Sequence, residues 1–71
     1  MLTFAEQIKI MLKRRGMTLG GLADMTGQSR QNLSNKINRD NFSQREMQQI
    51  AEALGCDLTV HLTDRDTKET I

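Results

Sequence analysis

Residues 18–37 read TLGGLADMTGQSRQNLSNKI, and this stretch decides the fold. Thr18 is placed to cap a short helix carrying Leu19, Leu22, Ala23 and Met25, and Gly27 ends it. Ser29 then caps a further helix in which Leu33 and Ile37, spaced i, i+4, share one face. Two short helices joined by a tight turn containing glycine are the mechanical content of a helix-turn-helix. Gly27 supplies the backbone freedom for the turn. Ala23 is small where the two helices would cross, and Leu22 and Leu33 would anchor the pair to a core. Gly20 and Gly21 each weaken the first helix by about 1 kcal/mol if interior, but they fall in its first turn, where the penalty is smaller. The second helix is otherwise polar: Arg30, Gln31, Asn32, Ser34, Asn35 and Lys36. A helix that polar is either simply solvated or meets a polar partner with its outer face.

Working outward, Thr3 and Glu6 form a capping box, in which hydroxyl and carboxylate each take the other residue's backbone N–H. Phe4, Ile8, Met11 and Leu12 follow on one helical stripe, so a helix is predicted over roughly residues 3–15. Lys13, Arg14 and Arg15 suit its negative end, and Gly16 suits a left-handed C-cap. On the other side of the central stretch, residues 38–41 read as a loop. Ser43 and Glu46 form a second capping box for a helix carrying Met47, Ile50, Ala51 and Leu54, closed by Gly55. Met11, Met25 and Met47 lie on helical stripes and are assigned to the core.

Beyond Cys56 the period changes from helical to two. Leu58, Val60 and Leu62 alternate with Thr59, His61 and Thr63, the pattern of a strand over residues 57–63. Residues 64–71 read as a flexible polar tail, leaving residues 1–63 as one domain. The fold class expected is mainly α: four helices followed by one β-strand. A lone strand presents unpaired backbone on its edges and needs a mate. Nothing else in the chain alternates, so the mate expected is the same strand of a second copy. The two would pair antiparallel about a two-fold axis, with Leu58, Val60 and Leu62 at the interface. The alternative is a tail laid over the helices of its own domain.

Composition narrows the function. At 71 residues the chain makes one small domain with a marginal core, of the kind that relies on well-packed helices or a partner subunit. Cys56 is the only cysteine, which excludes an internal disulfide and is compatible with a reducing cytoplasm. Cys56 and His61 alone do not make a zinc site, so no metal or cofactor is expected. No run approaches the ~20 apolar residues needed to span a membrane, and no basic-then-apolar leader is visible; a cytoplasmic location is expected. Phe4 and Phe42 are the only aromatics, too few for the stacking platforms of single-strand binders. There is no Ser/His/Asp grouping and no pair of carboxylates set for acid–base work, and Gly20–Gly21 lacks the lysine and spacing of a phosphate loop. An enzyme is therefore not expected. The net charge of +1 conceals a gradient: residues 28–45 hold Arg30, Lys36, Arg39 and Arg45 against Asp40 alone. The tail instead mixes Asp64, Asp66 and Glu69 with Arg65 and Lys68. A basic middle suits phosphates.

Residues 17–37, MTLGGLADMTGQSRQNLSNKI, together with IAEALGCDL at residues 50–58, resemble the Cro and lambda-repressor-like (Xre) helix-turn-helix family. The resemblance covers roughly residues 3–58. It implies a four-helix domain that binds double-stranded DNA in a sequence-specific way, a transcriptional regulator of bacterial or phage type acting as a homodimer on a palindromic operator. It also implies that Arg30, Gln31, Asn32 and Asn35 meet bases. Arginine suits guanine and an amide suits adenine. Ser29 and Lys36 would lie nearer phosphates, and Asn38, Arg39 and Asn41, in the following loop, would meet the DNA backbone. Leu19 stands where the family often carries a phosphate-touching glutamine; Thr18 would take that contact. Lys36 stands where the family usually has an apolar residue, and Ile37 takes the packing role. A small-molecule effector is not expected. The rival reading is an antitoxin-like or other protein-interaction module built on the same helices.

Overall fold

A computed structural model describes residues 2–71; Met1, the first residue of the expected domain, lies outside the described residues. Four helices follow in chain order: α1 (Phe4–Arg15), α2 (Leu19–Met25), α3 (Arg30–Arg39) and α4 (Gln44–Ala53). Each begins at a hydroxyl. Thr3, Thr18, Ser29 and Ser43 accept the backbone N–H of Glu6, Gly21, Asn32 and Glu46 respectively, at 3.0–3.1 Å. The capping boxes at α1 and α4 are both complete. Hydrogen bonds from the Thr3 backbone, then from its side chain, hold the Glu6 carboxyl below its ordinary value.

All four helices end in the same closure, in which the residue after a left-handed position donates back to a carbonyl in the last turns of the helix. Met17 N–H bonds the Leu12 carbonyl, Gln28 the Ala23, Asn41 the Lys36 and Cys56 the Ala51, at 2.8–3.1 Å. The left-handed positions are Gly16, Gly27, Asp40 and Gly55. This is the Schellman motif, which satisfies carbonyls that the helix leaves orphaned. Gly27 at φ 68° needs glycine's freedom, because a β-carbon there would crowd the following carbonyl. Asp40 occupies the same region at φ 49° and is the exception.

That exception corrects the sequence reading. Asn38 and Arg39, expected in a loop, form the last turn of α3, because nothing breaks the helix before Asp40. Asp40 then serves two helices: it closes α3, and its Oδ1 accepts the Ala5 N–H in the first turn of α1 at 3.0 Å. The other end of α1 is held similarly, with Arg15 Nε donating to the Leu54 carbonyl at the end of α4 (3.0 Å).

The core joins Ala5 and Ile8 of α1, Leu22 and Ala23 of α2, Leu33 and Ile37 of α3, and Ile50 and Leu54 at the end of the bundle. Phe4 and Phe42 meet edge-to-face with centroids 5.1 Å apart and lie against this cluster, a geometry aromatic pairs favour. No polar or charged side chain of the described residues is buried. Met11 packs on the core and Met47 is half-buried. Met25, also assigned to the core, is 60% exposed. It is the last residue of a seven-residue helix, beside Gln49, Glu52 and Ala53 of α4, which leave it open to solvent. No helix of the described residues is long and apolar enough to cross a membrane.

The expected strand is absent within the chain. Residues 57–62 carry no regular secondary structure, and the described residues contain no sheet. The one β-bridge among the described residues is antiparallel, between Thr63 and Thr70. Around it, Ile71 N–H bonds the Leu62 carbonyl and Asp64 N–H bonds the Glu69 carbonyl, both at 2.8 Å. Where the sequence reads a flexible tail, the structure thus holds a tight turn. Asp64 Oδ1 braces it by accepting the Asp66 N–H at 2.8 Å, a local bond typical of aspartate in turns. Three residues are too short a run to show an alternating pattern, so this mate was invisible. Residues 59–71 are all exposed. The radius of gyration, 13.8 Å, exceeds the ~11 Å expected of a compact chain this long. Residues 57–71 therefore form an arm that extends the molecule to 44 × 22 × 20 Å.

Candidate nucleic-acid interface

Two fully or nearly buried side chains seat α3, Leu33 at 0% and Ile37 at 8% exposure, and α2 is its principal support. At about 100° per residue, the positions pointing away from that pair are Gln31, Asn35 and Asn38. Asn32 and Arg39 stand on one flank with Lys36 below them, and Arg30 and Ser34 on the other. Gln31, Asn32, Asn35, Asn38 and Arg39 are all exposed. Between Ser29 and Arg39 there is no acidic residue.

The amides are already ordered among themselves. Gln31 Nε2 donates to Asn35 Oδ1 at 3.3 Å, and Asn32 Nδ2 donates to Gln28 Oε1 at 3.2 Å. Gln28 Nε2 in turn donates to the Thr26 hydroxyl at 2.9 Å. Each bonded amide keeps a donor or an acceptor free, so the face offers both to a partner.

Arg30 departs from the expected arrangement. It is exposed but sits on the α2 side, and its stem crosses Gly20: a β-carbon at position 20 would stand 3.7 Å from Arg30 Cδ. It is therefore set apart from the row of Gln31, Asn35 and Asn38. The hydroxyls of Thr18 and Ser29 serve as acceptors for helix caps, which leaves each its proton to donate.

Between the last turns of α3 and the start of α4 runs a groove of about 430 Å³. Asn32, Asn35, Lys36, Arg39 and Asn41 line it from one side, and Ser43 and Glu46 from the other. It gathers two residues expected at bases with three expected at phosphates. Lys36, however, is engaged within the protein, in an ion pair with Glu46. The hydrogen bond from Lys36 is the main reason the Glu46 carboxyl lies below its ordinary value; bonds from Ser43 act in the same direction against partial burial. Arg39 and Arg30 have no ion-pair partner among the described residues.

Two participants were missed in the sequence, Gln28 and Glu46. Asn38, expected at the DNA backbone, instead shares a face with Gln31 and Asn35, as the i, i+4, i+7 spacing of 31, 35 and 38 could have shown. Gln28 lies one turn before Asn32 and was equally accessible. Glu46 gave no local signal, because its partner lies ten positions away on another helix. Of the residues expected at a dimer contact, Leu58 is half-buried while Val60 and Leu62 are exposed at 59% and 74%. A second, shallower groove of about 360 Å³ lies by Met25, Thr26, Gln49, Glu52 and Ala53. No group of three or more His, Cys, Asp or Glu among the described residues is placed to hold a metal ion.

Residues 3–59 match a family described as a domain of unknown function, DUF6471. No curated protein and no solved structure matches the chain.

Proposed function

We propose, for a chain that belongs to the DUF6471 family, that it binds double-stranded DNA in a sequence-dependent way and regulates transcription as a homodimer in the cytoplasm. The observation that carries the proposal is the outer face of α3: four amides, flanking cations, no acid, and none of it used by the core. With α2 behind it, α3 acts as the second helix of a helix-turn-helix, of a width that the major groove of DNA admits. Gln31, Asn35 and Asn38 are the central readers, with Asn32 beside them. Amides suit adenine through its N6 and N7 atoms. Arg39 and Asn41 meet phosphates on one flank, while Arg30, Thr18 and Ser29 meet them near the start of α3, or guanine in the case of Arg30. Asn38 thus moves from the backbone to the bases.

The exposed arm supports the homodimer. Among the described residues, backbone groups of residues 57–61 neither donate nor accept a backbone hydrogen bond. In an antiparallel ladder successive residues face alternate edges. The Leu62 carbonyl and Asp64 N–H already face residues 69–71, so residues 57, 59, 61 and 63 face the open edge. Pairing with a second copy centred on Val60 then sets 59 against 61 and 57 against 63 as hydrogen-bonded pairs. It brings Val60 to its own equivalent and Leu58 to Leu62 as the closer, non-hydrogen-bonded pairs. Two recognition helices would then address half-sites about 34 Å apart. Sedimentation of a chain cut after Cys56 tests this: it should be monomeric where the full chain dimerises, and an unchanged dimer refutes the arm as interface.

The functional test is binding to mixed-sequence duplex across a salt series, followed by selection of bound duplexes from a random pool. Affinity should fall steeply with salt through counterion release, and the selected sites should share a palindrome. Flat or absent binding refutes the proposal. A protein-interaction module of antitoxin type is the second reading. What favours it is Met25, a large apolar side chain left 60% exposed beside the second groove; it predicts capture of a protein partner that a Met25→Lys variant loses.

A further inference from the structure

Glu46 is held from two directions. One carboxylate oxygen accepts the Ser43 N–H at 3.4 Å, completing the capping box of α4, and the other pairs with Lys36. The carboxylate thus belongs to the start of α4, while Lys36 belongs to α3. Lys36 stands on α3 one turn from Asn32 and one turn from Arg39, on the wall of the 430 Å³ groove. Its side chain remains 29% exposed. Apart from Glu46, every polar group lining that groove is neutral or cationic.

Resting on the DNA-binding reading above, we propose that Glu46 withholds Lys36 from DNA, so that the groove presents one cation, Arg39, to a backbone phosphate where it holds two. Exchange of the Glu46 carboxylate for a phosphate oxygen is opposed because the carboxylate stays behind in the groove as an unpaired anion beside the incoming one. Lys36 therefore adds little to the affinity of the parent chain. Glu46 is a positioning residue: it sets how many phosphates the protein neutralises and touches none of them. The consequence is a protein whose DNA affinity and salt sensitivity are both held below what its basic residues could supply.

Glu46→Gln is the discriminating change. Glutamine closes the capping box as glutamate does, so α4 keeps its start while Lys36 loses its ionic partner. Binding of a fluorescent duplex is measured over a salt series for the parent, Glu46→Gln, Lys36→Gln and the double variant, with thermal unfolding confirming that each is folded. The Glu46→Gln variant should bind about five-fold tighter at low salt, and its log–log salt slope should steepen by about 0.9, the share of one added phosphate contact. In the Lys36→Gln background the Glu46 substitution should leave the slope unchanged. Parent affinity and slope in Glu46→Gln overturn the inference while leaving DNA binding intact. A gain that persists without Lys36 overturns it too, since Glu46 would then act only as a distant charge. Absence of duplex binding by the parent chain overturns the DNA-binding reading itself, and this inference with it.

Discussion

Replacing Asp40 by alanine, glycine and asparagine separates two contributions made by one residue. Asp40 lies at φ 49°, ψ 45°, and its Oδ1 accepts the Ala5 N–H at 3.0 Å. That N–H belongs to the first turn of α1, where Thr3 caps the next donor along. Losing a helix cap costs about 1 kcal/mol. Holding a left-handed conformation with a side chain that has no local hydrogen-bonding chemistry costs roughly 1 kcal/mol relative to glycine, and aspartate tolerates it better than alanine. Asp40→Ala loses the cap and worsens the backbone, for about 1.5–2 kcal/mol of lost stability. Asp40→Gly loses the cap but relieves the backbone, and the two changes offset to within about 0.5 kcal/mol. Asp40→Asn keeps an acceptor and gives up only the charge at the positive end of α1, worth about 0.5 kcal/mol. At roughly 4–8 °C per kcal/mol for a domain this size, alanine lowers the melting temperature by about 6–16 °C and glycine by no more than about 4 °C. Thermal unfolding followed by circular dichroism resolves that difference. Equal losses for alanine and glycine would refute the backbone argument, and a parent-like alanine variant would refute both halves.

Acid should destabilise the fold through Glu6 and Glu46, whose carboxyls both lie below the ordinary value of 4.5 when folded. Their contribution is fully present above the unfolded value and is lost as pH falls through the folded values. Urea midpoints between neutral pH and about 3 should therefore drop on the acid side, less so in a Glu6→Gln, Glu46→Gln variant; an acid limb as steep as the parent's in that variant refutes the assignment. Leu33→Ala empties a fully buried site on α3 and should cost about 2–5 kcal/mol, enough to leave much of so small a domain unfolded at room temperature by circular dichroism. On DNA, Arg39→Ala should weaken binding to all duplexes alike and lower the salt slope by about 0.9. Asn35→Ala should instead shift the selected base at one position, and the reverse pattern would exchange the two roles.

What the sequence discloses is what local chemistry decides. Thr3, Thr18, Ser29 and Ser43 were readable as helix starts because a cap needs only a hydroxyl and an amide three residues on. Gly16, Gly27 and Gly55 were readable as ends for a similar reason. Asp40 was not, because an aspartate between two polar neighbours looks like loop unless its bond to Ala5 is known. The side chains of the candidate interface were legible as residue types, but their grouping was not. Arg30 turns toward α2, Asn38 joins the helix, and Lys36 is claimed by Glu46, all through contacts between elements. The alternation of Leu58, Val60 and Leu62 was visible, yet alternation says nothing about where a mate lies. The chain itself supplies one only through residues 69–71, which pair with residues 62–64 alone.

Arg15 and Asp40 together have a consequence for how the molecule opens. The one fastens the C-terminal end of α1 to the end of α4, and the other fastens its first turn to the end of α3. Helix tips are ordinarily the first amides to exchange with solvent, through fraying that leaves the rest of a protein intact. Here α1 has no loose tip: opening either end releases a bond that another helix is using. The Ala5 amide should therefore exchange more slowly than a first-turn amide ordinarily does, while the arm beyond Cys56 exchanges on its own.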